Sequence, residues 1–285
     1  MKARLPKLAG AFAKSSSRKG AKESPPCQKL RLWLIDSTGS IAQAKFRLIF
    51  STMPSLKLEI WSDIACPWCY VGKRRLEGAL KRFPHAGEIE LTWRAFELDP
   101  SAPRERPRDV SHVEFIARKY GMPLAQAQKS TDHLVQLARA EGLSFDFQNI
   151  RSGNTFDAHR LVHLGHERGL QDAVQERLMK AYFEQGELMS DHGTLLRLAS
   201  EAGLDAQEAT DVLAGDTYAA AVRAEEAEAR ELGISGVPCF VFDRRFAVSG
   251  AQSSEVMLNA LTQAWSERAP ASALAEGAVC GPDGC

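Results

Sequence analysis

The sequence predicts an α/β protein in which a small sheet is interrupted by a long, all-helical insertion. Two segments with strand periodicity lie at 56–60 and 88–95, and strand signals return only at 239–248. Residues 111–232 contain no good strand pattern and instead show the apolar spacing of successive helices. The order of elements therefore fits one sheet whose two halves are far apart in the chain.

The first half of the sheet contains two strands and one helix. Over 56–60 apolar residues alternate with charged ones, which is the period-2 pattern of a strand with one buried face. Apolar residues at helical spacing continue to Phe83, and Pro84 ends that helix. Over 88–95 apolar and polar residues alternate again, which predicts the second strand.

Seven successive helices are predicted in the middle of the chain, and a glycine follows each of them. They cover 111–120, 123–141, 154–168, 171–185, 192–202, 205–214 and 216–232. Glycine adopts the left-handed backbone conformation that commonly ends a helix. A hairpin over 240–248 and a last helix, begun by Ser253 or Ser254, then complete the sheet.

These elements divide the chain into five segments. They are a basic leader, 1–54, a first sheet segment, 55–98, a helical insert, 99–215, a second sheet segment, 216–268, and a flexible tail, 269–285. We expect the leader to be an unstructured extension or to follow a start codon placed too far upstream. An organelle transit peptide is the alternative, because the leader is basic and poor in acids.

Composition and charge exclude several classes of protein. Hydrophobic residues make up 44% and charged residues 25%, as in ordinary globular proteins, and no apolar run is long enough to span a membrane. Residues 1–52 carry eleven Lys/Arg and two Asp/Glu, whereas the remainder carries 25 and 34. This acidic body argues against nucleic-acid binding. Because the leader lacks the apolar core of a secretory signal, we expect a cytoplasmic protein.

The strongest chemical signal is a C-x-x-C motif formed by Cys66, Pro67, Trp68 and Cys69, which follows a strand and opens a helix. Cysteines three residues apart share a helix face, and their sulfurs can form a disulfide. At the helix start, backbone N–H groups and the helix dipole stabilise a thiolate. Cys66 is therefore the expected nucleophile and the more accessible thiol, and Cys69 the expected resolving cysteine.

A proline at the entrance of a later strand supports this reading. Val237 and Pro238 immediately precede the apolar strand that begins near Cys239, a position where a cis-proline turn is common.

The alternative for the C-x-x-C is half of a structural zinc site, with Cys280 and Cys285 as the other half. That second spacing is longer than usual, and we expect no metal.

Four motifs in combination resemble the FrnE-like branch of the DsbA family. They are IWSDIACPWCYVGK at 60–73, NTFDAHR at 154–160, GISGVP at 233–238 and VSGAQ at 248–252. The likeness covers about residues 55–268. It implies a thioredoxin fold with an inserted helical domain, and thiol–disulfide oxidoreductase or isomerase activity. The leader has no counterpart in that branch, and Cys239 stands where the family commonly has an aromatic or aliphatic residue.

The resemblance also implies which residues contact a substrate. In thioredoxin-like folds the cis-proline turn faces the C-x-x-C and exposes the backbone of the preceding residue. Substrate contacts are accordingly expected at Pro67, Trp68, Val237 and Pro238. Two residues of the insert motif are expected to line the cleft between the insert and the thioredoxin domain. They are Asn154 and His159.

Several residues keep two interpretations. Trp68 and Tyr70 either hold an apolar substrate segment or pack against the insert. His163 and His166 share a helix face with His159, which is more typical of a solvated or core-edge face than of a metal site.

The remaining cysteines are expected to differ from one another. Cys239 is expected to behave as a small buried apolar residue. Cys280 and Cys285 flank a turn-forming Gly-Pro-Asp-Gly sequence, and they are either an accessory redox pair that exchanges electrons with the C-x-x-C or two incidental thiols.

The predicted function is thiol–disulfide exchange on protein or small-molecule disulfides. No cofactor is expected beyond the redox-active disulfide, with glutathione as a candidate thiol partner. The alternative is a glutathione-dependent isomerase or transferase of the kappa-like hydroxychromene-carboxylate isomerase type. Those relatives characteristically use a serine in place of the dithiol, so Cys66 and Cys69 argue against it. A zinc-stabilised binding protein is the third, non-enzymatic reading.

Overall fold

A computed structural model describes residues 55–268, in which a four-stranded mixed sheet has the strand order β2-β1-β3-β4. The strands are β1 (Leu56–Ser62), β2 (Ile89–Ala95), β3 (Cys239–Phe242) and β4 (Phe246–Ser249). Strands β1 and β2 are parallel, whereas β3 is antiparallel to both β1 and β4. The two predicted halves of the sheet therefore meet at the β1–β3 pair.

Nine helices accompany the sheet in the described part of the chain. They are α1 (Pro67–Leu80), α2 (His112–Tyr120), α3 (Leu124–Ala140), α4 (Phe156–Glu167), α5 (Gln171–Gln185), α6 (His192–Glu201), α7 (Ala206–Ala214), α8 (Ala219–Glu231) and α9 (Ser254–Ser266). The seven helices predicted between β2 and β3 are all present, with ends that shift by up to three residues. Helix α1 stops at Leu80, before the predicted end at Phe83.

The sheet is covered on both faces. Helices α1 and α9 pack against one another, and residues of both share a core with Phe240 and Phe242 of β3. On the opposite face Trp61 packs with Ala229 of α8. The helical insert contributes to the same core as the sheet, since α5 and α6 supply fully buried residues to it.

The sequence predicts one buried face for β1, and the structure covers part of the other face as well. Glu59 on this second face is buried, because Arg94 and Arg244 lie against its carboxylate and α8 packs on the same face next to Trp61. Burial alone would raise the pKa of Glu59, but ion pairs with Arg244 and Arg94 hold it below its usual range. A charged residue in a period-2 pattern was therefore a buried, paired carboxylate and not a surface residue.

A buried lysine joins α1 to the insert. Lys73 lies within 3.2 Å of three carboxylates, those of Glu77, Asp172 and Glu176. Two of them belong to α5, so this cluster fixes α1 against the insert.

Among the described residues, no helix is long and apolar enough to cross a membrane.

Candidate active site

The C-x-x-C lies at the junction of β1 and α1. Cys66 is the N-cap residue of α1, and Pro67 occupies the first helical position. Proline fits there because the N–H that it lacks would have no partner in the first turn. The Cys66 N–H donates to the Asp63 carbonyl at 3.1 Å, which closes a tight turn between strand and helix. The Cys66 sulfur is thereby held at the positive end of the helix dipole.

The Val237–Pro238 turn forms the opposite wall, and its peptide bond is cis. The Cys66 thiol donates to the Val237 carbonyl at 3.5 Å. Gly72 allows this approach, because a Cβ at that position would lie 3.1 Å from Pro238 Cγ and 3.2 Å from Phe240 Cζ. The turn is held from behind by Gly250, whose N–H donates to the Pro238 carbonyl at 2.8 Å.

The two thiols are almost equally buried, since Cys66 is 3% exposed and Cys69 is 1% exposed, so Cys66 is not the clearly more accessible thiol that the sequence predicts. The two thiols differ in their surroundings instead. Burial raises the pKa of Cys69 well above its usual range, and the neighbouring Cys66 raises it further. Hydrogen bonds from the Ser62 side chain and the Asp63 backbone N–H act in the opposite direction. Cys69 is thus a protonated, buried thiol one turn inside the helix.

The two aromatic residues beside the dithiol have different environments. Trp68 is 39% exposed, whereas Tyr70 is fully buried. The Tyr70 ring packs on Phe145 and Phe183, and its hydroxyl donates to Glu176 at 2.7 Å. Tyr70 therefore packs against the insert, and Trp68 is the aromatic residue that remains available to a substrate.

A buried ion pair lies behind the dithiol turn. The Asp63 carboxylate accepts hydrogen bonds from the N–H groups of Ala65 and Leu98, and one of its oxygens lies 3.6 Å from His159 Nε2. Burial alone would lower the pKa of His159, but the carboxylates of Asp63, Glu97 and Glu226 raise it. His159 and the two N–H groups lower the pKa of Asp63 against the effect of burial.

The insert motif thus contacts the dithiol turn from inside the protein. His159 is 2% exposed, so its side chain offers no surface to a substrate in this structure. The Asn154 amide donates to Glu97 at 3.1 Å, on the segment that follows β2. Sequence reasoning missed Asp63, Glu97 and the exposed Leu98 as parts of this site. Only Asp63 had a signal, its place within the IWSDIACPWCYVGK motif at 60–73.

Cys239 lies on the other face of the sheet from the dithiol. It packs with Trp61 and Ala229, and burial raises its pKa to about 11. This environment agrees with the expectation of a small buried residue. Cys280 and Cys285 lie outside the described residues.

A cavity of about 600 Å³ lies between β2, α4 and α8, and neither cysteine of the C-x-x-C lines it. His163 and His166 line this cavity, with His163 Nε2 at 3.2 Å from a Glu225 oxygen. Within residues 55–268 no group of three or more His, Cys, Asp or Glu side chains is arranged to hold a metal ion.

Comparisons with known proteins agree with this architecture. The chain is 47% identical to probable DsbA oxidoreductase SCO1869 from Streptomyces coelicolor, with a TM-score of 0.71 over 81% of this chain and 98% of that one. It is 26% identical to YwbO of Bacillus subtilis over 211 residues, which are 73% of this chain and 96% of YwbO.

More distant structures share the fold alone. The cytosolic disulfide reductase DsbM from Pseudomonas aeruginosa is 19% identical, with a TM-score of 0.51 over 73% of this chain and 98% of that one. The DSBA-like thioredoxin domain model matches residues 57–262. That span includes both cysteines of the C-x-x-C, the whole insert and the cis-proline turn, and the chain therefore belongs to the DSBA-like thioredoxin domain family.

Proposed function

We propose that this protein is a thiol–disulfide oxidoreductase or isomerase that uses Cys66 as nucleophile and Cys69 as resolving cysteine. The observation that carries the proposal is the placement of the Cys66 sulfur. Cys66 is the N-cap residue of α1, and its sulfur lies 3.5 Å from the carbonyl that precedes Pro238, with Cys69 buried one turn behind it. The proposed nucleophile, the proposed substrate-binding carbonyl and the proposed resolving thiol are thus adjacent.

The proposed reaction is two successive thiol–disulfide exchanges. The Cys66 thiolate attacks a substrate disulfide, so that a mixed disulfide forms and one substrate sulfur leaves with the electron pair. Cys69 then attacks the Cys66 sulfur, which releases the second substrate thiol and leaves a Cys66–Cys69 disulfide. An external thiol reduces that disulfide. The same steps in reverse oxidise a substrate dithiol, and release before resolution permits isomerisation.

Substrate contact is proposed at the rim of the dithiol. When the Cys66 thiol is ionised it no longer donates to Val237, whose carbonyl is then free to accept from an extended substrate backbone. Trp68 lies within the C-x-x-C, and the Leu98 N–H donates to Asp63; both side chains are 39% exposed and are proposed as apolar contacts for the substrate. Proteins and small disulfides are the proposed substrates, and the cytoplasm is the proposed compartment.

Glutathione is a proposed thiol partner. The DsbM protein, described as a cytosolic disulfide reductase, was also solved with GSH. A glutathione-dependent isomerase is the alternative function, and a 2-hydroxychromene-2-carboxylate isomerase shares the fold at 14% identity. The dithiol favours the oxidoreductase, because a resolving thiol at Cys69 has no role in a serine-dependent isomerisation.

The test is a comparison of cysteine variants in an insulin-reduction assay with glutathione as reductant. Cys66→Ser should abolish turnover, and Cys69→Ser should accumulate mixed disulfides that mass spectrometry detects on Cys66. Cys239→Ser is the matched control, since that thiol is on the opposite face of the sheet. Full insulin reduction by Cys66→Ser, or isomerase activity that survives the loss of both thiols, would reject the proposal.

A further inference from the structure

An extended substrate chain can pair with the Val237 carbonyl only if that carbonyl keeps its position relative to the Cys66 sulfur. The two groups are 3.5 Å apart, but they belong to residues 171 positions apart in the chain. A hydrogen bond weakens steeply when its distance or angle departs from the favoured range. A small disulfide needs only the sulfur, whereas a peptide disulfide needs both groups. The contacts that fix the Pro238 turn against α1 therefore matter more for peptide substrates than for small ones.

The segment that follows β4 holds the Pro238 turn. Ser249, the last residue of β4, pairs with Cys239, and the N–H of the next residue, Gly250, donates to the Pro238 carbonyl at 2.8 Å. Gly250 has a φ of 78°, which glycine adopts without the steric cost that a side chain would add. The chain bends there and continues to Ala251. The position of the turn therefore depends on how this segment is itself fixed.

Arg75 ties the segment to α1. Its Nη1 donates to the Ala251 carbonyl at 2.6 Å, and its side chain is only 17% exposed. A hydrogen bond from a charged donor is stronger than one between neutral groups. Cys66 is the N-cap residue of the same helix. One rigid element thus places the nucleophile and also holds the segment on which the Pro238 turn rests.

Glu141 of the insert holds the Arg75 guanidinium in this orientation. Glu141 directly follows α3, and its carboxylate accepts from Arg75 Nε at 2.7 Å. Because a guanidinium is planar, one acceptor at Nε and another at Nη1 fix the direction of the whole group. The carboxylate also compensates the charge of the largely buried arginine. The insert therefore reaches the Pro238 turn through two side chains.

We propose that Arg75 and Glu141 are positioning residues that hold the Pro238 turn in register with Cys66 and thereby favour peptide disulfides over small ones. Glu141 acts through Arg75, and Arg75 acts through the Ala251 carbonyl. The inference rests on the proposed function and adds the basis of its substrate preference. The exchange itself is unchanged. The Cys66 sulfur bonds to one substrate sulfur, and the other leaves with the electron pair.

The experiment compares three chromogenic disulfides by stopped flow with the reduced protein. The first joins an aromatic thiol to a short cysteine peptide. The second carries the same peptide N-methylated at the residues flanking its cysteine, which removes backbone donors. The third is an aromatic disulfide without a peptide backbone. Rates at increasing substrate concentration give a maximal rate and a half-saturating concentration for each.

Four variants separate the contributions. Arg75→Met removes the guanidinium and keeps a long side chain, and Glu141→Ala removes its partner. Glu141→Gln retains an oxygen acceptor for Arg75 Nε and is the conservative variant. Arg82→Met is the matched control, because Arg82 follows the same helix and pairs with Glu255 of α9 at 2.9 Å, where both side chains are exposed.

Arg75→Met should raise the half-saturating concentration of the peptide disulfide about fivefold to tenfold, which is the factor that one net hydrogen bond contributes. Its preference for the unmethylated peptide should disappear. The maximal rate, and the rate with the aromatic disulfide, should change by no more than about twofold, because the lost interaction contributes to binding and not to the exchange step.

The remaining variants should rank by their place in the chain of contacts. Glu141→Ala should act in the same direction as Arg75→Met but by a smaller factor, and Glu141→Gln and Arg82→Met should stay close to wild type. The double variant of Arg75→Met with Glu141→Ala should be no weaker than Arg75→Met, since Glu141 acts through Arg75.

Three results would overturn the inference. They are an unchanged half-saturating concentration for the peptide in Arg75→Met, an equal loss with the aromatic disulfide, and a wild type that does not prefer the unmethylated peptide. If Arg75→Met does not fold, Glu141→Ala decides by the same measurements. A wild type that does not react with the aromatic disulfide contradicts the oxidoreductase proposal, whereas normal exchange in wild type and all variants contradicts only the positioning role.

Discussion

The buried pair of Asp63 and His159 predicts a pH-dependent loss of stability when the imidazole is removed. In His159→Leu the Asp63 carboxylate keeps its hydrogen bonds from Ala65 and Leu98 but loses its counter-ion at 3.6 Å. Removing one partner of a buried ion pair costs about 3–5 kcal/mol. Because two backbone donors remain, we expect a loss near the lower end, about 3 kcal/mol.

The pH dependence follows from the raised pKa of His159, which is due to Asp63, Glu97 and Glu226 against the effect of burial. When the pKa of a group is higher in the folded than in the unfolded state, the resulting stabilisation is complete at pH values below the pKa of the unfolded state. It is lost as the pH rises through the pKa of the folded state. The difference between wild type and His159→Leu should therefore be largest at acidic to neutral pH. It should shrink at alkaline pH, where the wild type also loses its imidazolium.

Urea unfolding of the reduced proteins at several pH values measures this difference. His163→Leu, on the same helix, is the matched control. Its Nε2 lies 3.2 Å from Glu225, but Glu225 also pairs with Arg94 at 2.8 Å and so retains a cation. We expect the control to lose less stability than His159→Leu. A loss below about 1 kcal/mol in His159→Leu, the size typical of surface pairs, would refute the reasoning, as would a loss that does not vary with pH.

Three further predictions concern the dithiol and its surroundings. Gly72→Val should displace the Pro238 turn, because even a Cβ would lie 3.1 Å from Pro238 Cγ. Insulin reduction should then fall at least about tenfold, whereas the loss of folding stability from overpacking, about 1–3 kcal/mol, should leave most of the protein folded. Cys239→Ala should keep turnover within about twofold, since this thiol packs on the other face of the sheet, while urea unfolding should detect a loss of about 1 kcal/mol. Truncation after Ala278 should leave the unfolding midpoint unchanged and slow steady-state recycling by an external thiol; an unchanged steady-state rate would count against the accessory redox pair.

Local sequence predicted the elements of this fold well. Helices depend on contacts between residues three and four positions apart, so the seven predicted helices between β2 and β3 could be read from spacing and glycines. The C-x-x-C and Pro238 were likewise visible, because each is a short motif whose residue types have a local geometric meaning. The thioredoxin fold with an inserted helical domain, inferred from the four motifs, is confirmed.

Which side of a helix is covered by a neighbouring element was not predictable in the same way. Trp68 and Tyr70 are two residues apart and equally aromatic, yet one is 39% exposed and the other is fully buried. The difference arises because the insert covers one side of α1, where Phe145 and Phe183 contact the Tyr70 ring. Periodicity identifies a helix face but does not say which other element will cover it.

By itself, the sequence determined where the two sulfurs of the C-x-x-C lie, because Cys66 and Cys69 are placed by one strand–helix junction. Only the tertiary structure decided what surrounds them. Ser62 and Gln175 are 113 residues apart in the chain, and their side chains meet only after the insert has packed against the sheet. The burial that raises the pKa of Cys69 comes from tertiary packing, and it leaves no periodic signal in the chain.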